Sequence, residues 1–354
     1  MKRVADDGSG HIACAAVQEL SALSPAEAAA LADELARWPL ERTMDLLRKV
    51  RGLSDEDPGV EFESVFGACL GSVHAEVRTF SVQSLSESVD RTLAARFANM
   101  VEHDPDAGVR VAAASAMSTV CLLAANGKLH PKHTQAVKSA LGNVFADEAQ
   151  GEELRRRALE SMSSFGGDDV AAFISQAYAS GTGPMRQSAI FAMGRSPDTR
   201  WLKTVIKELD AVESEVRYEA VIALGELGNE EHAAYLRSAL DDTDLNVQVA
   251  AVGALEMLGG PQARLLLLKA VRSPEPTVAA AAVESLAAIR AEDGLVDTIS
   301  ADIAESGGLF GGPASVGSGA DDGDDEYDAA DREGWGKASG GDEARRGDAS
   351  TDEE

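Results

Sequence analysis

The chain has 354 residues, 44% of them hydrophobic but only 5% aromatic, and a net charge of −28. Such a composition supports a real core made of many small contacts, while the charge sets most faces against phosphate backbones and anionic membranes. Nucleic acid and membrane are therefore not expected partners, and the acidity serves solubility or a basic partner. Only 9 of the 32 basic residues are lysine, a bias of coding or of salt adaptation. The three cysteines, Cys14, Cys69 and Cys121, lie far apart with no CxxC pair, so neither a disulfide framework nor a thiolate zinc site is indicated. The start, MKRVADDGSGH, lacks the apolar run of a signal peptide. The longest purely aliphatic run, Leu265–Leu268, is far short of the roughly 18–20 residues of a membrane span. A cytoplasmic protein is expected.

In chain order, residues 1–10 are expected to fray. A helix opens at Ser24, with Pro25 at its first position and Glu27 at its third. It should run to about Arg37. Pro39 starts a second helix through Leu46, Leu47 and Val50 that should end at Gly52. Residues 1–58 thus read as an N-terminal helical cap or degenerate repeat.

From residue 59 self-similarity dominates. The apolar residue that precedes Arg in Val-Arg recurs as Val77, Val109, Leu154, Met185, Val216, Val247 and Val278, the last five spaced by 31 residues each time. The first interval is 32 and the second 45, which places an insertion of about 14 residues within 121–146. Four residues after each anchor stands Ser81, Ala113, Ala158, Ala189, Ala220, Ala251 or Ala282, and eight after it a Leu or Met. These offsets define a wide apolar stripe on an α-helix, and the small residue at offset four would let a neighbouring helix come close. Before each anchor lies another helical segment, clearest as TRWLKTVIKELD, EEHAAYLRSALD and QARLLLLKAVRS. Two helices per unit with a short acidic turn between them make an all-α solenoid of about seven units over residues 59–306.

The pattern D-x-x-x-x-x-V-R-x-x-A-x-x-A-L-x-x-L-G, as it stands from Asp210 to Gly228, resembles HEAT repeats of the short bilin-lyase-like type. The resemblance covers roughly residues 60–290. It implies first helices on a convex side, second helices on a concave side, and a ladder of turn aspartates and helix arginines. Arg78, Arg110, Arg155, Arg186 and Arg217 occupy the arginine column, with Asp104, Asp210 and Asp241 as turn acids. Gln248 and Ala279 break the column, so the ladder should lapse near the C-terminal end, which is either looser or capped by the helix around Leu295–Ala304.

After Ser306, GGLFGGPASVGSG has the composition of a flexible linker. Residues 320–354 hold 14 acidic and 4 basic residues without apolar periodicity, so 307–354 reads as a linker and a disordered acidic tail. Its uses would be solubility, cover for the concave face, or attraction of a basic partner. Tyr327 and Trp335 are its aromatics.

No catalytic, cofactor or metal residue emerges. A di-iron hydroxylase family built on such repeats uses paired His-Glu dipeptides, and no histidine here precedes a glutamate. His130 and His133 form HPKH, which fits a helix entry better than a metal site without a third ligand. Arg155-Arg156-Arg157 is the one dense basic run of the array, with Glu152, Glu153 and Glu160 to offset it. The best functional signal lies opposite the apolar stripe. Phe191 and Ile222 occupy offset six in adjacent units, and Tyr218, Val249 and Met257 extend the region, rimmed by Arg195 and Glu226. Either curvature buries these side chains between helices, or they form a partner site. The function implied is a monomeric, non-enzymatic scaffold or adaptor for a protein or peptide. The alternative is an accessory or lyase-type subunit acting on a cofactor-bearing protein.

Overall fold

The computed structural model describes residues 17–306, apart from 58, 89, 90 and 182. Residues 1–10, Cys14, His11 and the acidic tail from 307 lie outside the described residues. No strand occurs among those described. The compact unit that reaches Thr298 carries the repeats.

Ser24 caps α1 (Pro25–Leu35), its hydroxyl accepting from the Glu27 N–H while the Glu27 carboxylate takes the Ser24 N–H. Helix α2 (Leu40–Glu56) runs through Gly52, the expected end, and stops at Asp57. An Arg51–Asp55 ion pair of 3.0 Å one turn apart spans that extension.

Seven pairs follow. The first helices are α3 (Glu63–Cys69), α5 (Leu93–His103), α7 (Pro131–Ala146), α9 (Asp168–Ser180) and α11 (Leu202–Glu208), then two 3₁₀ turns (Glu230–Arg237 and Ala239–Asp241), then α14 (Gly260–Ala270). The second helices are α4 (Ala75–Ser84), α6 (Ala107–Ala125), α8 (Glu152–Met162), α10 (Gly183–Arg195), α12 (Ser214–Leu227), α13 (Leu245–Leu258) and α15 (Pro276–Ser306). The region expected as a separate helix around Leu295–Ala304 is the continuation of α15. Where an α-helix was expected at EEHAAYLRSALD, the chain winds as 3₁₀. Its buried residues Ala233, Leu236 and Ala239 recur every three positions, the period at which 3₁₀ side chains eclipse on one side.

The insertion within 121–146 lengthens α6 and α7 and adds no separate element. His130 is the N-cap of α7, its Nδ1 accepting from the Lys132 N–H at 3.2 Å ahead of Pro131. By length and composition α6 could cross a bilayer. Its Val109, Ala113, Met117 and Cys121 are buried among neighbouring helices.

All seven offset-four residues, Ser81 to Ala282, are fully buried. Close approaches between second helices also lie at glycines that the repeat pattern did not single out. A Cβ on Gly194 would stand 2.6 Å from Ala223 Cα, and one on Gly225 2.9 Å from Ala254 Cα. At the last unit the stripe opens: Val283, at offset five, is 53% exposed where Val221 and Val252 are buried.

The ladder is partly the expected one. Arg78 places two N–H groups on Asp104 at 2.7 and 2.9 Å. Burial raises the Asp104 pKa, but the hydrogen bonds from Arg78 and the Asp106 N–H outweigh it and hold the group below its ordinary value. Arg217 makes the same bidentate contact at 2.7 Å with Asp242, one residue after the expected Asp241. Asp104 and Asp242 both stand five residues before the next anchor, where each carboxylate also accepts an N–H two residues on and is fixed by that turn. Asp241, one step earlier, reaches Lys269 at 2.7 Å on the surface. Asp210 is not a rung either, because Arg186 reaches the buried Glu208 at 2.6 Å. Arg110 and Arg155 bond backbone carbonyls, of Asp104 and Phe145, at 2.8 Å. Arg78, Arg110 and Arg217 each bond the carbonyl six residues back, and Gln248 keeps that bond, at 2.6 Å to Asp242. The lapse at Gln248 is therefore half a lapse: the carboxylate rung goes, the turn bond stays.

One substitution should act with opposite signs at two glycines. Gly225→Ala forces α12 and α13 apart and should destabilise by about 1–2 kcal/mol. Gly253→Ala meets no atom within 4 Å and should stabilise by up to about 1 kcal/mol through helix propensity. Urea denaturation of both variants measures this, and equal shifts would contradict the packing described.

Candidate protein-interaction face

Offsets two, three, six, nine and ten lie on the arc of each second helix opposite the buried stripe. In the middle of the array this arc carries a charged network. Arg156 and Arg157 of α8 both reach Glu153 at 2.8 Å, and Arg157 also reaches Glu160. Arg156 Nε donates to Ser188 Oγ on α10, whose hydroxyl donates on to Glu160. The basic run is thus satisfied by its own acids and by the next helix.

Beside it stands Glu219 of α12. Burial, with Glu160 and Glu226 nearby, pushes its carboxyl up to about 7 against the opposing pull of Arg156 and Arg157. Nothing in the sequence marks it beyond an acid at offset three, because the shift needs two helices brought alongside.

The candidate patch divides. Tyr218, Ile222, Val249 and Met257 come together with Leu245 and Gly253 in an open groove of about 570 Å³ between α12 and α13. Tyr218 is 36% exposed, Leu245 42% and Met257 59%, so curvature does not bury them. Phe191, Arg195 and Glu226 lie outside the groove. Phe191 is half-buried with the Arg195 guanidinium 5.9 Å from its ring centre, and Arg195 is held by Glu226 at 3.0 Å. Leu245 was missed because it precedes the anchor and sits outside the helical columns. Gly253 was visible as a small residue at offset six, and the missing side chain is what opens the floor.

Two other features were not singled out by the sequence. A slot of about 820 Å³ lies along α1, α3 and the start of α5, walled by small residues such as Ala28, Ala32, Gly67 and Ala68. Leu265 and Leu268 of α14 are 62% and 50% exposed, since four successive leucines on a helix cannot share one face. Among the described residues no group of three or more His, Cys, Asp or Glu is placed to hold a metal ion. Cys69 and Cys121 are free and buried, and burial pushes the Cys69 thiol up to about 11.

Residues 202–287 match the family model of HEAT repeats. No curated protein matches the chain significantly. Among solved structures, importin β is similar with a TM-score of 0.47 and 15% identity, over 81% of this chain and 45% of its own. The YibA protein of Escherichia coli aligns with a TM-score of 0.42 and 16% identity, over 76% of this chain and 94% of its own. Human deoxyhypusine hydroxylase aligns with a TM-score of 0.30 and 16% identity, over 75% and 96%. The chain spans less than half of importin β, and function on such a fold lives in particular residues.

Glu219 gives a pH test of the face. Its raised pKa means the folded chain holds a proton that the unfolded chain releases between about pH 4.5 and 7. Stability from this group therefore falls as pH rises through that window and is level outside it. Glu219→Gln should be more stable than the parent by on the order of 1–2 kcal/mol at pH 8, after allowance for partial exposure, and equal to it near pH 4.5. Melting curves of both proteins across that range check the sign.

Proposed function

We propose that this HEAT-repeat protein is a non-enzymatic scaffold or adaptor that holds a protein or peptide partner on the face of its second helices. The observation that carries the reading is the α12–α13 groove, where large apolar side chains stay exposed although the helices on either side pack closely. An exposed cluster of that kind costs solubility unless something covers it, and partner sites are its usual explanation. Within this proposal the protein acts as a cytoplasmic monomer, a setting that suits buried free thiols. The runner-up, an accessory or lyase-type subunit acting on a cofactor-bearing protein, would announce itself by a chromophore or metal that co-purifies at stoichiometric level.

A photo-crosslinking residue placed at Met257 should capture a protein partner, and one placed at Tyr235, 51% exposed on the first-helix layer, should not. Ile222→Glu with Met257→Glu should abolish binding of the captured protein while leaving the melting temperature unchanged. Equal capture at Tyr235, or binding that survives the double substitution, would show that the partner sits elsewhere.

A further inference from the structure

The fifteen positions of α12, α13 and α15 at offsets two, three, six, nine and ten contain four glutamates and no lysine or arginine, and of these Gly225 is buried against α13. The glutamates are Glu219, Glu226, Glu256 and Glu284, and most of the remaining positions are apolar or small. Glu226 is held by Arg195 of α10. Glu256 lines the groove itself and accepts the Ser285 hydroxyl, and Glu284 is exposed at the offset that Ile222 and Gly253 occupy. An apolar floor is thus flanked by carboxylates on every helix that forms it, and the guanidinium of Arg195 is already spent on Glu226.

We infer that this groove binds a basic amphipathic segment of another protein, its apolar side chains on Ile222, Val249 and Met257 and its lysines or arginines on Glu219, Glu256 and Glu284. The inference rests on the proposed interaction face and adds the partner's chemistry. Complementary charge steers such a segment in and excludes others. The chain's own tail, with a net charge of −10 over residues 320–354, and a second copy, at −28, are both repelled. Three second helices at spacings of about 8–10 Å span roughly 20 Å, the length of a helical segment of about 14 residues.

Glu219 supplies a signature of the contact. The charges acting on it are Arg156, Arg157 and Glu160 from α8 and Glu226 on its own helix. The flanking helices add Arg195, held by Glu226, and Glu256. On the far side of α12, α11 offers Glu208, held by Arg186. A cation docked on Glu219 favours its ionised form, so the segment should bind better as pH rises through about 7.

The test is fluorescence anisotropy on the full chain with three labelled 14-residue probes: a Leu/Lys peptide of helical amphipathic spacing, a Leu/Glu peptide of the same spacing, and a non-amphipathic permutation of the Leu/Lys peptide. The amphipathic Leu/Lys peptide should bind, with affinity rising about tenfold from pH 6 to pH 8, and Glu219→Gln should flatten that rise. The triple variant Glu219→Gln, Glu256→Gln, Glu284→Gln should lose at least about tenfold. So should Gly253→Leu, which fills open space and can be checked for folding by its melting curve. A remote triple of equal charge change, Glu41→Gln, Glu63→Gln, Glu148→Gln, should bind as the parent does. Equal losses in the two triples, equal binding of the permuted peptide, or no binding of the amphipathic Leu/Lys peptide would overturn the inference. Binding that appears only after deletion of residues 320–354 would make the tail the occupant, and a dimer broken by Gly253→Leu would make it a second copy. If the Leu/Glu peptide binds instead and is lost on Ile222→Glu with Met257→Glu, the basic partner is wrong and the interaction face stands. Failure of the Met257 crosslink would remove the face itself.

Discussion

Successive second helices in the C-terminal half are held at a separation that a single methyl group would upset. Gly194 lies on Ala223 and Gly225 on Ala254, with virtual Cβ contacts of 2.6 and 2.9 Å to the facing Cα atoms. No unit can bury its own apolar stripe, so the core exists only where neighbours stack. Close contact makes the stacking worthwhile with small side chains, which is how a chain with 5% aromatic residues still encloses a continuous core. The same contact fixes what the outward arc presents, because backbones this close leave little freedom in the register of one helix against the next.

Charge does the second job, of orienting the turns. The Arg78–Asp104 and Arg217–Asp242 pairs are largely shielded from water, and each arginine also bonds a carbonyl of the turn before its own helix. One side chain thereby ties a turn of its own unit to a turn of the next. Removing one partner would strand the other in a poorly solvated place, which costs more than an exposed pair ever contributes. Surface pairs such as Lys269–Asp241 have no such leverage. The arginine column is therefore maintained even where its acid changes, to Glu208 for Arg186 or to a carbonyl for Arg155.

Periodicity exposed the architecture because it depends on which residues recur, and anchors, stripe and turns recur. The capping box at Ser24, the cap at His130 and the offset-four alanines all follow from local chemistry. What stayed hidden depends on contacts between units. Asp241 and Asp242 are equivalent acids in a turn until the arginine one unit away selects the one whose carboxylate the turn has fixed. Glu219 looks like any solvent-facing glutamate until Glu160, two units earlier, is brought beside it. Phe191 and Ile222 share a column and are both half-buried, yet Arg195 stands beside one ring while the other side chain lines the groove at Gly253. A column predicts environment only as far as the neighbouring columns are also repeated.

That rule bears on the groove, which α12 and α13 line together with Thr277 at the start of α15. At offset nine the glycine that permits close contact, Gly194 and then Gly225, becomes Glu256, and at offset seven of the following helix the alanine becomes Ser285. Between α13 and α15 the glycine–alanine contact is thus replaced by a hydroxyl-to-carboxylate bond, and α13 is also the helix whose offset six loses its side chain in Gly253. The α12–α13 step itself keeps its close Gly225–Ala254 contact, so the floor opens at Gly253, where nothing stands within 4 Å, and not through a wider helix separation. Tyr218, Ile222, Val249 and Met257, which a regular continuation would have left as a narrow apolar seam, are opened into a groove with a carboxylate at its edge. The irregularity costs burial, since Met257 and Val283 stay more than half exposed. A repeat that is otherwise so uniform gains nothing in stability from such a step, so the exposed groove is best understood as a surface kept for something that binds there.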